Sequence, residues 1–258
     1  MSVMNHKKSS AITQLINRWV RAFLLPVPML GLVFLPKYLM QYIRFRRLDD
    51  SQKVSIKEMY PCLLDRVHNT PFDPHYFYQA AWLSRCIARS KVMRHVDIGS
   101  DIRIFNVLSA FVTVDFADFR PLQVKLDGLN CSSANITNLT YEDNSINSLS
   151  CLHVVEHVGL GRYGDPLDVK GAIKSLHELQ RVLAPKGKLY LSVPVGRERV
   201  CFNAHRVFYP KTIINHLSSL NLVEFSLVDD SGDYQTNVPI DLSDELDYGC
   251  GMFIFEKI

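Results

Sequence analysis

A chain of 258 residues, 47% apolar and 21% charged, has the balance of a folded globular protein of α/β size and not that of a disordered, collagenous or repeat polymer. A mean hydropathy of +0.01, with no uninterrupted apolar run of about 20 residues, excludes a multi-span transporter or channel. The net charge of +3 is unevenly spread: residues 1–47 carry Lys7, Lys8, Arg18, Arg21, Lys37, Arg44, Arg46 and Arg47 with no acid, so the rest of the chain, which holds all 26 acids, is negative.

Between Arg21 and Lys37 the sequence AFLLPVPMLGLVFLP is too short for a bilayer span and is broken by Pro26, Pro28, Gly31 and Pro36. It runs into Lys37-Tyr38-Leu39-Met40 and not into a small-residue cleavage site, which argues against a secretory leader and for a cytoplasmic protein. The following KYLMQYIRFRR mixes apolar side chains with four cations. Residues 1–48 therefore read as an arm suited to an anionic inner-membrane surface, or as an element that docks on a partner or covers the chain's own core. So apolar an arm argues against nucleic acid. Six cysteines, Cys62, Cys86, Cys131, Cys151, Cys201 and Cys250, show no C-x-x-C pair and read as reduced thiols.

Residues 49–92 read as a lead-in whose helix, HYFYQAAWLSRCIAR (75–89), starts at Asp73-Pro74 and places Tyr76, Ala80, Leu83 and Ile87 on one face. Residues 93–258 then alternate β-rich runs (95–99, 111–116, 148–155, 188–195, 222–228 and 251–258) with helical stretches over 101–110, 168–183 and 210–220. In the helix ending at Leu183, Ile173, Leu176 and Leu179 share a face, and Pro185 and Gly187 stop it. The alternation predicts a doubly wound, mainly parallel sheet covered on both faces, its last two runs forming an antiparallel pair.

Ligands of such sheets gather at the carboxyl ends of strands. The first run ends Asp97-Ile98-Gly99-Ser100, where glycine permits a tight turn and close approach of backbone N–H groups to a ligand. The second ends VDFADF, and Asp118 lies at an offset from Gly99 that suits an acidic contact to ribose hydroxyls, or else it caps the turn before Pro121. Asp115 is expected to point elsewhere.

The order HVDIGS, VTVDFADFRPL, ANITNLTYEDNSINSLSCLHVVEHV and LHELQRVLAPKGKLYLSVPVG resembles class I S-adenosylmethionine-dependent methyltransferases of the small-molecule type. Within that set HYFYQAAW, CLHVVEHVGLGRYGDP and VCFNAHRVFYP are similar to an uncharacterised bacterial family catalogued as domain of unknown function 268, over roughly residues 60–258. The resemblance implies a Rossmann-like seven-stranded sheet and S-adenosylmethionine as cofactor. It also implies a glycan-related acceptor, because members of that family resemble parts of surface-polysaccharide gene sets. It places Asp97, Gly99 and Ser100 at the methionine end, Asp118 at the ribose, and Leu152 and His153 at the end of the fourth strand beside the cofactor. Asn135, with Ile136 next to it, stands where the general pattern has an aspartate, so its side-chain oxygen would meet the adenine amino group. Asp101 and Arg103 stand where further glycines are usual, and a carboxylate there repels the cofactor's own carboxylate unless Arg103 offsets it. An inactive methyltransferase-like binding or scaffold protein in glycan assembly is the alternative those departures motivate.

His153-Val154-Val155-Glu156-His157 spells H-x-x-E-H, but on a strand the two histidines stand about 13 Å apart at about 3.3 Å per residue, too far to share a zinc ion, so no metal is assigned. After a strand end, Glu156 and His157 instead face the crevice, with His157 the candidate base toward a methyl acceptor, or a histidine bonded to a loop carbonyl. Arg162, in the turn-forming run GLGRYGDP, offers a cation to the substrate, and Asn203, His205 and Arg206 are expected to close the acceptor pocket from the opposite side. There is no Ser-His-Asp order, G-x-S-x-G elbow or Walker sequence to support a hydrolase or a phosphate loop.

Overall fold

The computed structural model describes residues 32–48, 55–56 and 59–258. The cations and prolines of the arm before Leu32 lie outside the described residues. The chain divides into two units, Met1–Pro71 and Phe72–Ile258.

In the first unit a 3₁₀ turn, Leu32–Phe34, leads into α1, Leu35–Leu48. Pro36 is tolerated because it falls in the first turn, where its missing N–H would have no partner anyway. None of the side chains of α1 is buried, and Leu39, Met40, Ile43 and Phe45 are exposed among Lys37, Arg44, Arg46 and Arg47. No helix of the described residues is long and apolar enough to cross a membrane.

The second unit opens with α2, Pro74–Ser90, capped as the sequence suggests: Asp73 Oδ1 accepts the N–H groups of His75 and Tyr76, and Pro74 supplies the pre-set φ of the first turn. The strands β1 (Arg94–Ile98), β2 (Thr113–Asp118), β3 (Leu129–Ser133), β4 (Ile146–Leu152) and β5 (Leu183–Val195) run parallel, in the order β3-β2-β1-β4-β5. A hairpin of β6 (Arg199–Cys201) and β7 (His205–Val207) stands apart. The sheet continues from β5 through β10 (Gly249–Lys257), β8 (Leu220–Val228) and the two-residue β9 (Tyr234–Gln235). The expected antiparallel pair is β8 with β10, and β10 runs against both of its neighbours.

Helices α3 (Ile102–Leu108), α4 (Gly171–Val182) and α5 (Pro210–His216) complete the layers. Leu176, Leu179 and Val182 of α4 and Ile213 of α5 pack on one face of the sheet, against Leu189, Leu191 and Val193. Trp82, Leu83 and Ile87 of α2 and Ile104, Phe105 and Leu108 of α3 pack on the other, against Val114, Phe116 and Tyr190. The opposite allegiance of Tyr190 and of Leu189 and Leu191 is the two-residue period of a strand buried on both faces.

Several expectations are adjusted. The helix set apart as a lead-in is part of the second unit, and its Trp82 and Leu83 are fully buried. The run 148–155 is strand only to Leu152, because His153 adopts φ +53° and Val155–His157 forms a 3₁₀ turn. The segment around Asn203 is the β6–β7 hairpin, with Asn203 itself at φ +61° in the turn. Four strands, β3, β6, β7 and β9, fall outside the expected runs, and the sheet has eight strands where seven are expected.

Candidate functional site

A cavity of about 480 Å³ opens where β1, β2 and β4 end. That size falls in the range of about 300–1,000 Å³ that suits a small-molecule ligand. Gly99, Ser100, Asp118 and Asn135 line it. Ile136, Leu152, His153 and His157 line more of the wall.

Gly99 turns the chain out of β1 at φ +74°, and a Cβ built there would lie 3.1 Å from Val154 Cγ1 and 3.6 Å from Asp118 Oδ2. The turn thus brings bare backbone within reach of the Asp118 carboxylate. Gly99→Ala is expected to lower unfolding stability by about 1–2 kcal/mol, the cost of a left-handed L-residue, read as a fall in melting temperature.

Asp118 does both things the sequence allows. Its Oδ1 accepts the Arg120 N–H at 2.6 Å, capping the turn, while Oδ2 lies toward Gly99. Asp115 is turned away, in an ion pair with Arg94 and accepting from Asn130. Asn135 departs from its expected role: its Oδ1 accepts both the backbone N–H and the hydroxyl of Thr137, at 3.0 and 2.9 Å. A carbonyl oxygen has two lone pairs, so the group free to meet a ligand is the Nδ2 amide, a donor. Asp101 caps α3 by accepting the Arg103 N–H, and its carboxylate is paired with the Arg103 guanidinium. The charge that most threatened an anionic ligand is therefore neutralised in place.

Asp97 does not line the cavity but lies beneath it, fully buried. It accepts the Ser100 N–H at 3.0 Å and the hydroxyls of Ser100 and Ser150. Ser100 Oγ in turn accepts the Leu152 N–H, so one carboxylate ties the end of β1 to that of β4. The chain of contacts goes on through Ser150 to His95 Nε2 and from His95 Nδ1 to Ser148, each at 2.8 Å. Burial raises the Asp97 pKa to about 7 and lowers that of His95 to about 3, leaving His95 neutral between two serines.

His157 Nδ1 donates to Ala204 O at 2.6 Å, which fixes the tautomer and leaves the lone pair on Nε2. Burial, partly offset by Glu156, lowers its pKa, so the ring stays neutral near pH 7. Glu156 is not in the cavity wall. It is buried, accepts from His153 Nδ1 at 2.7 Å and lies 3.8 Å from His157 Nε2. Burial works against charge on His153, and the neighbouring Cys250 sulfur and Glu156 carboxylate overcome it, raising its pKa to about 10.

Arg162, Asn203, His205 and Arg206 do not line the cavity either. Arg206 is buried and donates to Glu156 O and Val158 O, Arg162 donates to Ala204 O, and Asn203 Nδ2 reaches Leu160 O. His205 packs on Tyr248. Arg162 and Asn203 brace the hairpin against the GLGRYGDP loop, and Arg206 ties it to the segment just before that loop, which Asp165 holds by accepting the N–H groups of Gly159, Gly161 and Tyr163. What the sequence reading missed is the aromatic part of the wall: Tyr76 from α2, and Tyr163, over which Arg120 stacks at 4.3 Å. Nothing short of the tertiary fold brings Arg120 to Tyr163.

The fold is that of class I S-adenosylmethionine-dependent methyltransferases. It resembles the N-methyltransferase NodS from Bradyrhizobium japonicum WM9, solved with S-adenosyl-L-homocysteine, at 16% identity over 74% of this chain and 90% of that one, with a TM-score of 0.50. It equally resembles the cyclase SpnF, at 13% identity over 68% of this chain and 80% of that one, again with a TM-score of 0.50. Residues 128–242 match the family described as "Caenorhabditis protein of unknown function, DUF268", a name that gives no support to a bacterial setting. No curated protein matches the chain.

Proposed function

We propose that the chain transfers a methyl group from S-adenosylmethionine to a small polar acceptor. That a cyclase shares the fold means that the site, and not the architecture, has to carry this reading. The observation that carries it is the convergence of the Gly99 turn, Asp118, Asn135 and His157 on one cavity. In this reading Gly99 and Ser100 receive the methionine end, Asp118 the ribose hydroxyls, and the Asn135 amide with Ile136 the adenine. Asp97 acts from beneath by fixing Ser100, and Leu152 and His153 border the cofactor.

S-adenosylmethionine supplies an electrophilic methyl sulfonium, so the protein's task is mainly to hold an acceptor in line with it. His157 Nε2 takes the acceptor's proton. Transfer then has an acid limb set by a pKa below the ordinary 6.5, so the rate at saturating substrates should be level through neutral pH and fall only below that value. An acid limb centred above pH 7 would contradict this role.

For the acceptor we favour a sugar or glycolipid in surface-polysaccharide assembly, supported by the resemblance over residues 60–258 and by the Tyr76 ring in the cavity wall, an aromatic surface that suits the apolar face of a sugar. The exposed apolar and basic side chains of α1 support a peripheral site of action at an anionic inner-membrane surface on the cytoplasmic side. Methyl-labelled S-adenosylmethionine, incubated with the protein and a pool of nucleotide sugars and glycolipids, should deliver label to the glycan fraction. Asp118→Ala should deliver none. Label that stays in the cofactor, although the cofactor binds, would favour the inactive binding protein.

A further inference from the structure

We propose that His75, His153 and Cys250 hold a zinc-class divalent metal ion, with Glu156 orienting His153 as a ligand. One ligand atom from each of the three lies within 4.8 Å of the others. On a tetrahedron of zinc bonds of about 2.0–2.3 Å the ligand atoms stand about 3.5 Å apart, so the cluster needs to close by about 1 Å, and the His75 ring, stacked on that of His153 with 14° between their planes, has to turn to aim its nitrogen at the same ion.

Three elements deliver these donors. His75 sits in the first turn of α2, His153 directly follows β4, and Cys250 is the second residue of β10. The last two are levelled by β5 between them, since the His153 N–H bonds Ser192 O and Cys250 is paired with Pro194. The independent sign of a ligand is His153 itself. Its ring is buried, Nδ1 is taken up by Glu156 Oε1, and Nε2 makes no hydrogen bond of normal geometry, the Cys250 sulfur being the ring's other polar neighbour. Carboxylate, then histidine, then metal is the arrangement that fixes a ligating imidazole and raises its basicity. The strained φ of +53° at His153 is a further cost, borne to aim this ring.

A thiolate with two imidazoles selects zinc or a similar late transition ion over magnesium or calcium. Cys250 is fully buried and outside the cavity wall, so a nucleophilic role would have no route to a substrate there. The ion would pin the start of α2 to the sheet and thereby set Tyr76, the next residue, in the cavity wall. Water would complete the coordination. The site uses His153 and Glu156 of the H-x-x-E-H run but not its His157, whose Nδ1 bonds Ala204 O. It also stands whether or not the cavity binds S-adenosylmethionine.

The test uses the full chain, purified without a polyhistidine tag, stripped with chelator and titrated with cobalt(II). The expected result is one equivalent bound, with a thiolate-to-cobalt charge-transfer band and d–d bands of tetrahedral intensity. Zinc should displace them and raise the melting temperature. Cys250→Ser should abolish the charge-transfer band, Cys62→Ser should leave it intact, and Glu156→Gln should weaken cobalt binding by about 10–100-fold. If Cys250→Ser fails to fold, His75→Gln, a change at a partly exposed helix start, should still remove the tetrahedral spectrum. Absence of that spectrum in the wild-type chain would overturn the site, as would a band that survives either ligand substitution.

Discussion

Asp118→Ala is expected to weaken S-adenosylmethionine binding by about 100-fold. Hydrogen bonds to a charged acceptor contribute about 1.5–3 kcal/mol each, and two ribose hydroxyls bonded to one carboxylate bring the loss to about 3 kcal/mol. Asp118 also caps the Arg120 N–H, so Ala removes a turn cap as well as a ligand contact. Asp118→Asn separates the two, because its amide oxygen keeps the cap while the charge is gone. Its melting temperature should stay near wild type while affinity falls by about tenfold, the smaller loss expected when a neutral group replaces a charged acceptor. Titration calorimetry on both variants checks this. Equal affinities for Asp118→Ala and wild type would place the ribose elsewhere.

Asp97→Ala should act through the fold and not through contact with the ligand. It strands the Ser100 N–H and leaves the hydroxyls of Ser100 and Ser150 to find new partners in a sealed space. At about 1–3 kcal/mol for each buried group left unmatched, a loss of about 3 kcal/mol or more is expected, a large share of the roughly 5–15 kcal/mol that stabilises a domain. Asp97→Asn adds a pH signature. Burial raises the pKa of Asp97 from 3.8 to about 7, so the folded state holds this proton more tightly than the unfolded chain. Raising the pH between these values therefore costs stability, by up to about 1.4 kcal/mol per unit, and the cost levels off above about pH 7. Asparagine mimics the protonated acid and escapes that cost. The stability of Asp97→Asn relative to wild type should thus climb from pH 5 to pH 8 in denaturant titrations, and a difference that does not change with pH would contradict the buried acid.

Much of the frame is legible in the sequence because it is written in short range. The Asp73-Pro74 start of α2 is chemistry of adjacent residues, the alternation of β-rich and helical runs is periodicity, and Gly99 and Asp118 close their own strands. β3 escaped because Leu129-Asn130-Cys131-Ser132-Ser133 is a mostly exposed edge strand with little apolar alternation. Around Asn203 the polar side chains suggest a pocket wall, whereas in the fold Asn203 and Arg206 satisfy backbone carbonyls. Asn135 shows the limit within a correctly placed motif: its position follows from the strand order, but the capture of its oxygen by Thr137 is a local turn that position alone does not reveal. Least legible is the meeting of His75, His153 and Cys250. It depends on β10 entering the sheet beside β5 and on α2 packing over that face, neither of which leaves a trace in residue spacing.

The most direct test of the account is isothermal titration of the full chain with S-adenosylmethionine and S-adenosylhomocysteine. One site of micromolar affinity for both ligands, lost in Asp118→Ala, is the result expected if the cavity at the ends of β1, β2 and β4 is a cofactor site. No heat and no thermal shift with either ligand at millimolar concentration would contradict it.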